Sequence, residues 1–359
     1  MRLDQKILAV AIFAGSAIAA AAVEVKPTGR LHLDYARYAS DVAQFDDRGL
    51  VRRAQLGLKG DFGSSWSAEV AYDFALGGTL KDVYLRYRGW GHSEIRLGQF
   101  KLPFGMEQLT GPDDITFLER GLPSDAFAPS RRMGIGFQSN RAKYTWAAMG
   151  FGSSIEGKGG NGAATRFTFN PIKKGNTLVH LGLAVLTERP DGLVNLGAVP
   201  EALPTDIRLV RTGRLADVAR RDQLGAEAAW KQGPFSIQSE WMQARLSRSA
   251  GAPEAAFNGW YVAGSWVLSG ESRDYKNGVF KQLQPAGKAG AWELAMRYSR
   301  IRLNSGLIEG GEEHNLTFGL NWYFKDYLRV MADYVMVASE RRGIIDNPNI
   351  LDVRAQVAF

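Results

Sequence analysis

Apolar and polar side chains alternate with a period of two through most of the chain from Gly29 to Phe359. In residues 29–39, GRLHLDYARYA, Leu31, Leu33 and Tyr35 alternate with Arg30, His32 and Asp34. Further on, Ala54, Leu56, Leu58 and Phe62 alternate with Gln55, Lys59 and Asp61, and Val83, Leu85 and Tyr87 alternate with Asp82, Tyr84, Arg86 and Arg88. At the end, Val353, Ala355, Val357 and Phe359 alternate with Arg354 and Gln356. Successive side chains of a strand point to opposite faces, so each segment has one apolar and one wet face. Sixteen such segments are countable, centred near Leu33, Leu56, Val70, Leu85, Leu97, Ile135, Trp146, Phe167, Leu181, Ala226, Ile237, Val262, Leu294, Phe318, Val330 and Val357. No run of ten or more residues has a helical period.

Two architectures can satisfy so many apolar faces. A soluble sandwich packs them against a second sheet; a transmembrane barrel turns them to lipid. Charge in mid-strand on the wet face suits a water-filled lumen. Aromatics gather at strand ends (Trp90, Trp230, Trp266, Trp292, Trp322, Tyr323, Phe324 and Tyr327), as in an interfacial girdle. Connection lengths alternate as well. Asp61–Ser65, Gly89–Ser93, Lys231–Pro234 and Lys325–Tyr327 are short, while Ser40–Leu50, Leu102–Arg131, Gly152–Ala163, Arg189–Arg220 and Ser247–Phe257 are long. Short turns on one side and long loops on the other are the pattern of bacterial barrels with even strand counts. The expectation is an all-β, transmembrane antiparallel β-barrel of about sixteen strands. One connection, Ser269–Gly290, is long where the alternation calls for a short turn. It reads either as a missed strand pair or as an elaborated entrance on the cell side.

Composition bounds the rest. Residues 1–22 combine Arg2 and Lys6 with an apolar run from Ile7 and close on Ala20, Ala21 and Ala22, which reads as a cleaved export signal. Residues 23–359 then form a single barrel domain. Cysteine is absent, which excludes disulfides, thiolate metal sites and cysteine nucleophiles. The formal net charge is +7, and removing Arg2, Lys6 and Asp4 lowers it to +6. That excess fits an anionic partner. Nucleic acid is excluded as a partner by export and by the lack of basic runs longer than pairs.

Catalytic chemistry finds no support. His32, His92, His180 and His314 are scattered without ligand spacing, and no Gly-x-Ser-x-Gly elbow or phosphate-cradling loop before a helix is present. No enzyme activity, cofactor or metal is expected. The recurrent polar residue is arginine, as at Arg30, Arg53, Arg86, Arg96, Arg166, Arg297 and Arg354. Its fork of donors suits phosphate, sulfate and carboxylate oxygens, and rings of such side chains select anions in pores. The plainer reading of the same residues is a polar lumen in which Glu69, Asp82, Glu227, Glu240 and Asp333 balance the bases.

Leu97–Arg132 leaves the strand pattern at Pro103 and regains it only near Met133. Loops of that length in compact folds are usually functional. This one contains Phe104, Met106, Leu109, Ile115, Phe117, Leu118 and Phe127 and reads as a loop folded inward to narrow a pore.

The chain resembles the phosphate-selective porins O and P of Gram-negative outer membranes. The resemblance rests on GRLHLDYARY, VRRAQLGLKGDFGSSWSAEVAYDF, DVYLRYRG, IRLGQFKLPFGMEQLTGPDDITFLERG, RLVRTGRL, LSGESRDYKNGVF, HNLTFGLNWYF and LDVRAQVAF, in order along the whole mature chain. Even the long Ser269–Gly290 turn is similar to the family's pattern. The resemblance implies a sixteen-stranded barrel, homotrimeric, set among outer-membrane lipid and lipopolysaccharide, with an inward-folded third loop in each pore. Phe359 resembles the terminal aromatic by which such barrels are recognised for assembly. In phosphate-specific members, an arginine on the first strand, an arginine pair on the second, an acid on the fourth and bases in the third loop surround the anion. Arg30, Arg52, Arg53, Asp82 and Arg120 match those positions. Lys59, Arg131 and Arg132 extend the basic lining, and Arg208, Arg211 and Arg214 stand where an arginine ladder would lead inward.

The family pattern is incomplete here. Ala54-Gln55 replaces an aromatic after the arginine pair, and Gly111, Pro112 and Asp113 replace serines and a lysine. Asp113, Asp114 and Glu119 are acids of the constriction loop, and the first two would repel phosphate. The three-residue spacing of 208, 211 and 214 would not aim one strand's side chains the same way. The implied function is an outer-membrane porin forming a water-filled, weakly to moderately anion-selective channel for small anions, with phosphate possible. A general porin for other small solutes is the alternative, and a barrel enzyme or adhesion protein the more distant one.

Overall fold

The computed structural model describes residues 23–40, 42–203, 205–249 and 251–359. The expected export signal, residues 1–22, lies outside them.

Sixteen strands form the wall, in chain order. The first eight are β1 (Val23–Ala39), β2 (Arg48–Phe62), β3 (Trp66–Asp73), β4 (Thr79–Trp90), β5 (Ser93–Lys101), β6 (Arg131–Asn140), β7 (Tyr144–Phe151) and β8 (Asn161–Lys174). The rest are β9 (Thr177–Arg189), β10 (Val218–Gln232), β11 (Phe235–Arg248), β12 (Ala255–Val267), β13 (Ala291–Ser305), β14 (Ile308–Lys325), β15 (Leu328–Arg341) and β16 (Asn349–Ala358). Each pairs antiparallel with its neighbours in sequence. β1 closes the ring on β16, from Arg30 opposite Ala358 to Ala39 opposite Asn349. Closure leaves no strand edge, the condition for a sheet to sit in hydrocarbon. Every expected strand centre falls within one of these strands.

The alternation has the expected physical outcome, inverted from a soluble protein. Leu31, Leu33 and Tyr35 are 40%, 45% and 49% exposed, whereas His32 and Asp34 between them are 0% and 4% exposed. Arg297, Arg329 and Arg354 are among the largest fully buried side chains. Apolar groups face out and charges face in, as lipid outside and water inside require.

Two-residue turns join β4, β8, β10 and β14 to their successors, three-residue turns join β2 and β6 to theirs, and glycines such as Gly91 and Gly233 adopt the positive φ these turns need. Trp90, Trp266, Trp292 and Tyr327 are exposed near that end, and Trp292 stacks on Trp322 at 5.5 Å. Tyr323 differs from the expectation of a girdle residue. It is buried, and its hydroxyl donates to Glu293 Oε2 at 2.6 Å. One step of strand register separates it from Trp322, which is enough to turn it inward.

The long turn after β12 holds no missed wall strands. Its Tyr275–Lys276 and Val279–Phe280 form a two-residue ladder of their own, separate from the barrel sheet. The opposite end carries the longer segments, including 102–130, which contains two short helices, α1 (Met106–Leu109) and α2 (Leu122–Phe127).

Candidate functional site

Residues of the segment 102–130 contact buried side chains of several wall strands. Phe104, Leu122 and Phe127 are buried in one cluster with Met242, Phe257 and Ile301 of β11, β12 and β13. Burying each aromatic or leucine stabilises the packing by about 1.5–3 kcal/mol. The polar contacts are equally specific. Arg329 of β15 donates to the carbonyl oxygens of Ile115 and Thr116 at 2.7 and 2.8 Å, and Asp333 Oδ2 accepts from Leu118 N at 2.8 Å. Arg354 of β16 donates to Leu118 O at 2.6 Å and to Glu119 Oε1 at 2.9 Å while gripping both oxygens of Asp34.

Both short helices begin at glycine, Gly105 and Gly121, so neither has a side-chain cap of its own. Carboxylates from elsewhere supply the acceptor. Glu240 of β11 takes the amides of Met106 and Glu107, both at 2.7 Å. Glu201, from the connection between β9 and β10, takes the amide of Leu122 at 3.0 Å. Glu201 also accepts from Arg297, Ser299 and Thr317, and it does so at φ 55, an unfavourable backbone region for a residue with a Cβ. Four partners hold it there.

The residues expected at the site divide into those committed to an acid and those that are not. Arg30 Nε lies 3.1 Å from Asp113 Oδ2, and His32 Nε2 lies 2.8 Å from Asp113 Oδ1. Arg52 donates to Glu119 Oε1 at 2.7 Å and Oε2 at 3.1 Å. Arg131 donates to Asp82 at 2.6 Å, and Lys59 lies 3.8 Å from Glu69. Arg132 lies 3.6 Å from Glu188 and donates to Ser130 Oγ. Arg208 donates to Asp125 and to Gly197 O, whereas Arg211 and Arg214 are exposed, so these three share no common target.

Arg53 and Arg120 have no acid partner in an ion pair among the described residues. Arg53 Nε is buried without a hydrogen bond. Arg120 donates only to carbonyl oxygens, of Glu107 at 3.1 Å, Thr110 at 3.1 Å and Gln108 at 3.5 Å. Lys101 Nζ joins it on the same group of oxygens, 2.5 Å from Gln108 O and 3.2 Å from Thr110 O. Two cations thus converge on the carbonyl end of α1, where partial negative charge favours them.

The loop acids do not stand free. Asp114 lies 3.0 Å from Lys281 Nζ and accepts from Gln282 N at 2.9 Å. Burial pushes the Asp113 carboxyl up, but the His32 hydrogen bond and Arg30 outweigh it and leave it below its ordinary value. Burial opposes ionisation of Glu119 too, and Arg52 and Arg354 overcome it, holding this carboxyl well below the usual range.

A cavity of about 480 Å³ opens beside the segment. Seven bases, among them Arg30, Lys59, Arg96, Lys101 and Arg131, line it against two acids, Glu69 and Asp82. Sequence reasoning missed Lys101, Glu201 and Glu240 as parts of this arrangement. Glu240 was legible as a wet-face acid, but nothing in the sequence linked it to α1. Among the described residues no group of three or more histidines and carboxylates is placed to hold a metal ion.

Comparison with known proteins agrees with this architecture. Porin O of Pseudomonas aeruginosa is 24% identical over 363 residues, spanning 87% of this chain and 82% of the relative. An uncharacterized protein of Caulobacter vibrioides is 27% identical over 365 residues, spanning 90% of this chain and 73% of its own. The fold is similar to that of OmpT, an outer membrane protein of Vibrio cholerae, in its trimer form, with TM-score 0.63 and 12% identity over 94% of this chain and 100% of that one. It is also similar to the anion-selective porin from Comamonas acidovorans, with TM-score 0.62 and 14% identity over 94% and 100%. At such identities the two structures speak for the fold alone. The family model for phosphate-selective porin O and P matches residues 25–359, and the chain belongs to that family.

Proposed function

We propose that the chain is an outer-membrane diffusion channel, weakly to moderately anion-selective, that passes small anions, phosphate among them, without a chemical step. It is exported through a leader removed near Ala22, forms one barrel domain from residue 23 onward, and assembles as a homotrimer among outer-membrane lipid and lipopolysaccharide. The segment 102–130 is its constriction. The Pseudomonas relative named Porin O and the Comamonas neighbour described as anion-selective support this reading.

The observation that carries it is the charge of the cavity lining, seven bases to two acids. Excess positive charge in a low-dielectric pore raises the local concentration of anions. Of the lining bases Lys101 contributes most, because no acid neutralises it in place, and Arg53 and Arg120, outside the lining, add to it at longer range. Arg30, Lys59, Arg96, Arg131, Arg166 and Lys281 contribute less, since Asp113, Glu69, Glu94, Asp82, Glu227 and Asp114 accompany them. Arg52, Arg132 and Arg208 position the loops, and Arg211 and Arg214 act at the outer surface. Few free bases mean weak retention and fast release, which conduction needs.

The accompanying acids are also the observation that favours a second reading, a general porin with little charge preference. Purified protein added to a planar lipid bilayer decides between them. Stepwise chloride conductance that phosphate blocks only at millimolar levels supports the weakly selective anion channel. Absence of steps rejects both porin readings, and steps with no response to phosphate favour the general one.

A further inference from the structure

The outward stripe of β13 runs Trp292, Leu294, Met296, Tyr298, Arg300, Arg302, because alternate residues of a strand share a face. Leu294 and Met296 are 42% and 53% exposed, as side chains turned to hydrocarbon are, and the two arginines that continue the stripe are exposed on the same side. At about 3.4 Å per residue and a tilt of about 40°, they stand about 20 and 26 Å from Trp292, where a lipid-facing apolar band of about 25 Å gives way to headgroups. Trp292 lies at the short-turn end, so the arginines lie at the end that carries the long segments. An arginine is costly within hydrocarbon, whereas at that boundary it meets phosphates.

Cross-strand neighbours complete the group. Trp260 of β12 stands opposite Arg300, and Asn258 stands opposite Arg302. These four residues line a depression of about 160 Å³, with no acid among them. The Trp260 and Tyr298 rings are 5.5 Å apart, and Trp241 of β11 stands opposite Trp260, so aromatics underlie the arginines as at a membrane interface. Arg245 of β11 is exposed, donates to Gln243 Oε1 at 3.1 Å and has no acid partner among the described residues. The acid of the group is Glu312 of β14, whose two oxygens lie 3.0 Å from Arg300 Nη2 and 3.0 Å from Arg302 Nε. One carboxylate between two guanidiniums leaves a positive charge over. Glu340 stands beyond Glu312 on β15, away from β12.

We propose that Arg300, Arg302, Asn258 and Trp260, with Arg245 beside them, form a site on the outside of the barrel for the phosphate of a glycolipid in the outer leaflet. The guanidinium forks suit phosphate oxygens, and Asn258 adds amide donors. Trp260 and Tyr298 offer a flat apolar surface to the part of the headgroup nearest the hydrocarbon. An apolar stripe such as Leu181, Leu183 and Val185 of β9 offers no counter-charge, so a lipid phosphate fits this patch better than the wall of a second copy does. The inference rests on the outer-membrane reading above and concerns the outside of the barrel, not its lumen.

Purified protein in mild detergent, incubated with lipopolysaccharide and examined by native mass spectrometry, tests the site. The unaltered protein should retain the lipid, and the double variant Arg300→Gln, Arg302→Gln should retain several-fold less. Asn258→Glu leaves Glu312 paired but puts an acid into the depression, and it should cause a similar loss. Arg302→Lys should keep most of the binding, and Arg141→Gln, at the short-turn end, should keep all of it. Lipopolysaccharide stripped of its phosphates should bind several-fold more weakly, and millimolar inorganic phosphate should not displace the intact lipid. Equal retention by the folded variants, indifference to the lipid's phosphates, or displacement by the free anion overturns the site. Separation of the copies in the double variant also overturns it, because this face would then be an interface between them. Stepwise conductance reads the channel independently. A conducting barrel without lipid retention refutes this site alone, and a silent barrel that retains the lipid refutes the channel alone.

Discussion

Arg30 Nε lies 3.1 Å from Asp113 Oδ2, so the arginine that faces the cavity from the first strand is held by an acid of the folded loop. On the proposed channel reading, Asp113 acts as a brake on anion attraction rather than as a freestanding repulsive charge. Asp113→Asn removes one negative charge and frees Arg30. The reversal potential in a salt gradient should move toward the anion limit, and phosphate should block chloride current at a several-fold lower concentration. Unchanged values would place Asp113 outside the conducting path.

Lys101 and Arg120 share the carbonyl end of α1 and lack an acid partner among the described residues. Lys101→Met and Arg120→Ala should each lower the anion-to-cation permeability ratio, by about two- to five-fold if one uncompensated charge is worth about 0.5–1 kcal/mol in the pore. Arg53→Ala should act in the same direction. Arg120→Lys keeps the charge and should retain most of the ratio. An equal loss in Arg120→Lys and Arg120→Ala would assign Arg120 to loop structure alone.

Glu240 accepts the amides of both Met106 and Glu107. Glu240→Ala leaves those donors of α1 unsatisfied, a loss of about 1–2 kcal/mol on the scale of helix N-caps. The barrel wall should survive, because its strand ladder is untouched. Proteolysis of the folded protein should then show a new cleavage in residues 102–130. A resistant loop would mean that the apolar cluster around Phe104 holds it without the cap.

Glu119 gives a pH dependence whose sign follows from its partners. Its carboxyl is held well below the usual range, with burial opposing and Arg52 and Arg354 prevailing. A depressed folded value contributes stability above the unfolded pKa, about 4.3, and that contribution is lost as pH falls through the folded value. The loop contacts of Arg52 should thus persist from neutral pH to the ordinary glutamate range and weaken only below it. Channel noise and conductance recorded from pH 7 to pH 3 check this. A transition near pH 6 would have to come from another group.

The wall was legible because period two is a local property. Each of the sixteen segments announces its own faces, and the inward arginines at 166, 297 and 354 were placed by that rule alone. Tyr323 escaped because its neighbours Trp322 and Phe324 share its chemistry, so composition hid the register. Lys101 escaped for a different reason. Alternation from Ile95 and Leu97 points it outward, but the chain leaves the wall at Leu102 and carries it into the cavity. The loop contacts lay further from view. Glu201 with Leu122, and Asp114 with Lys281, join segments that have no period and are distant in sequence, so only the folded chain brings them together.

The reversal potential of the purified protein in a tenfold potassium chloride gradient tests the central claim most directly. The cavity lining predicts a potential displaced toward the chloride limit, moderate in size, and shifted toward zero by Lys101→Met. A potential displaced toward the potassium limit would contradict it.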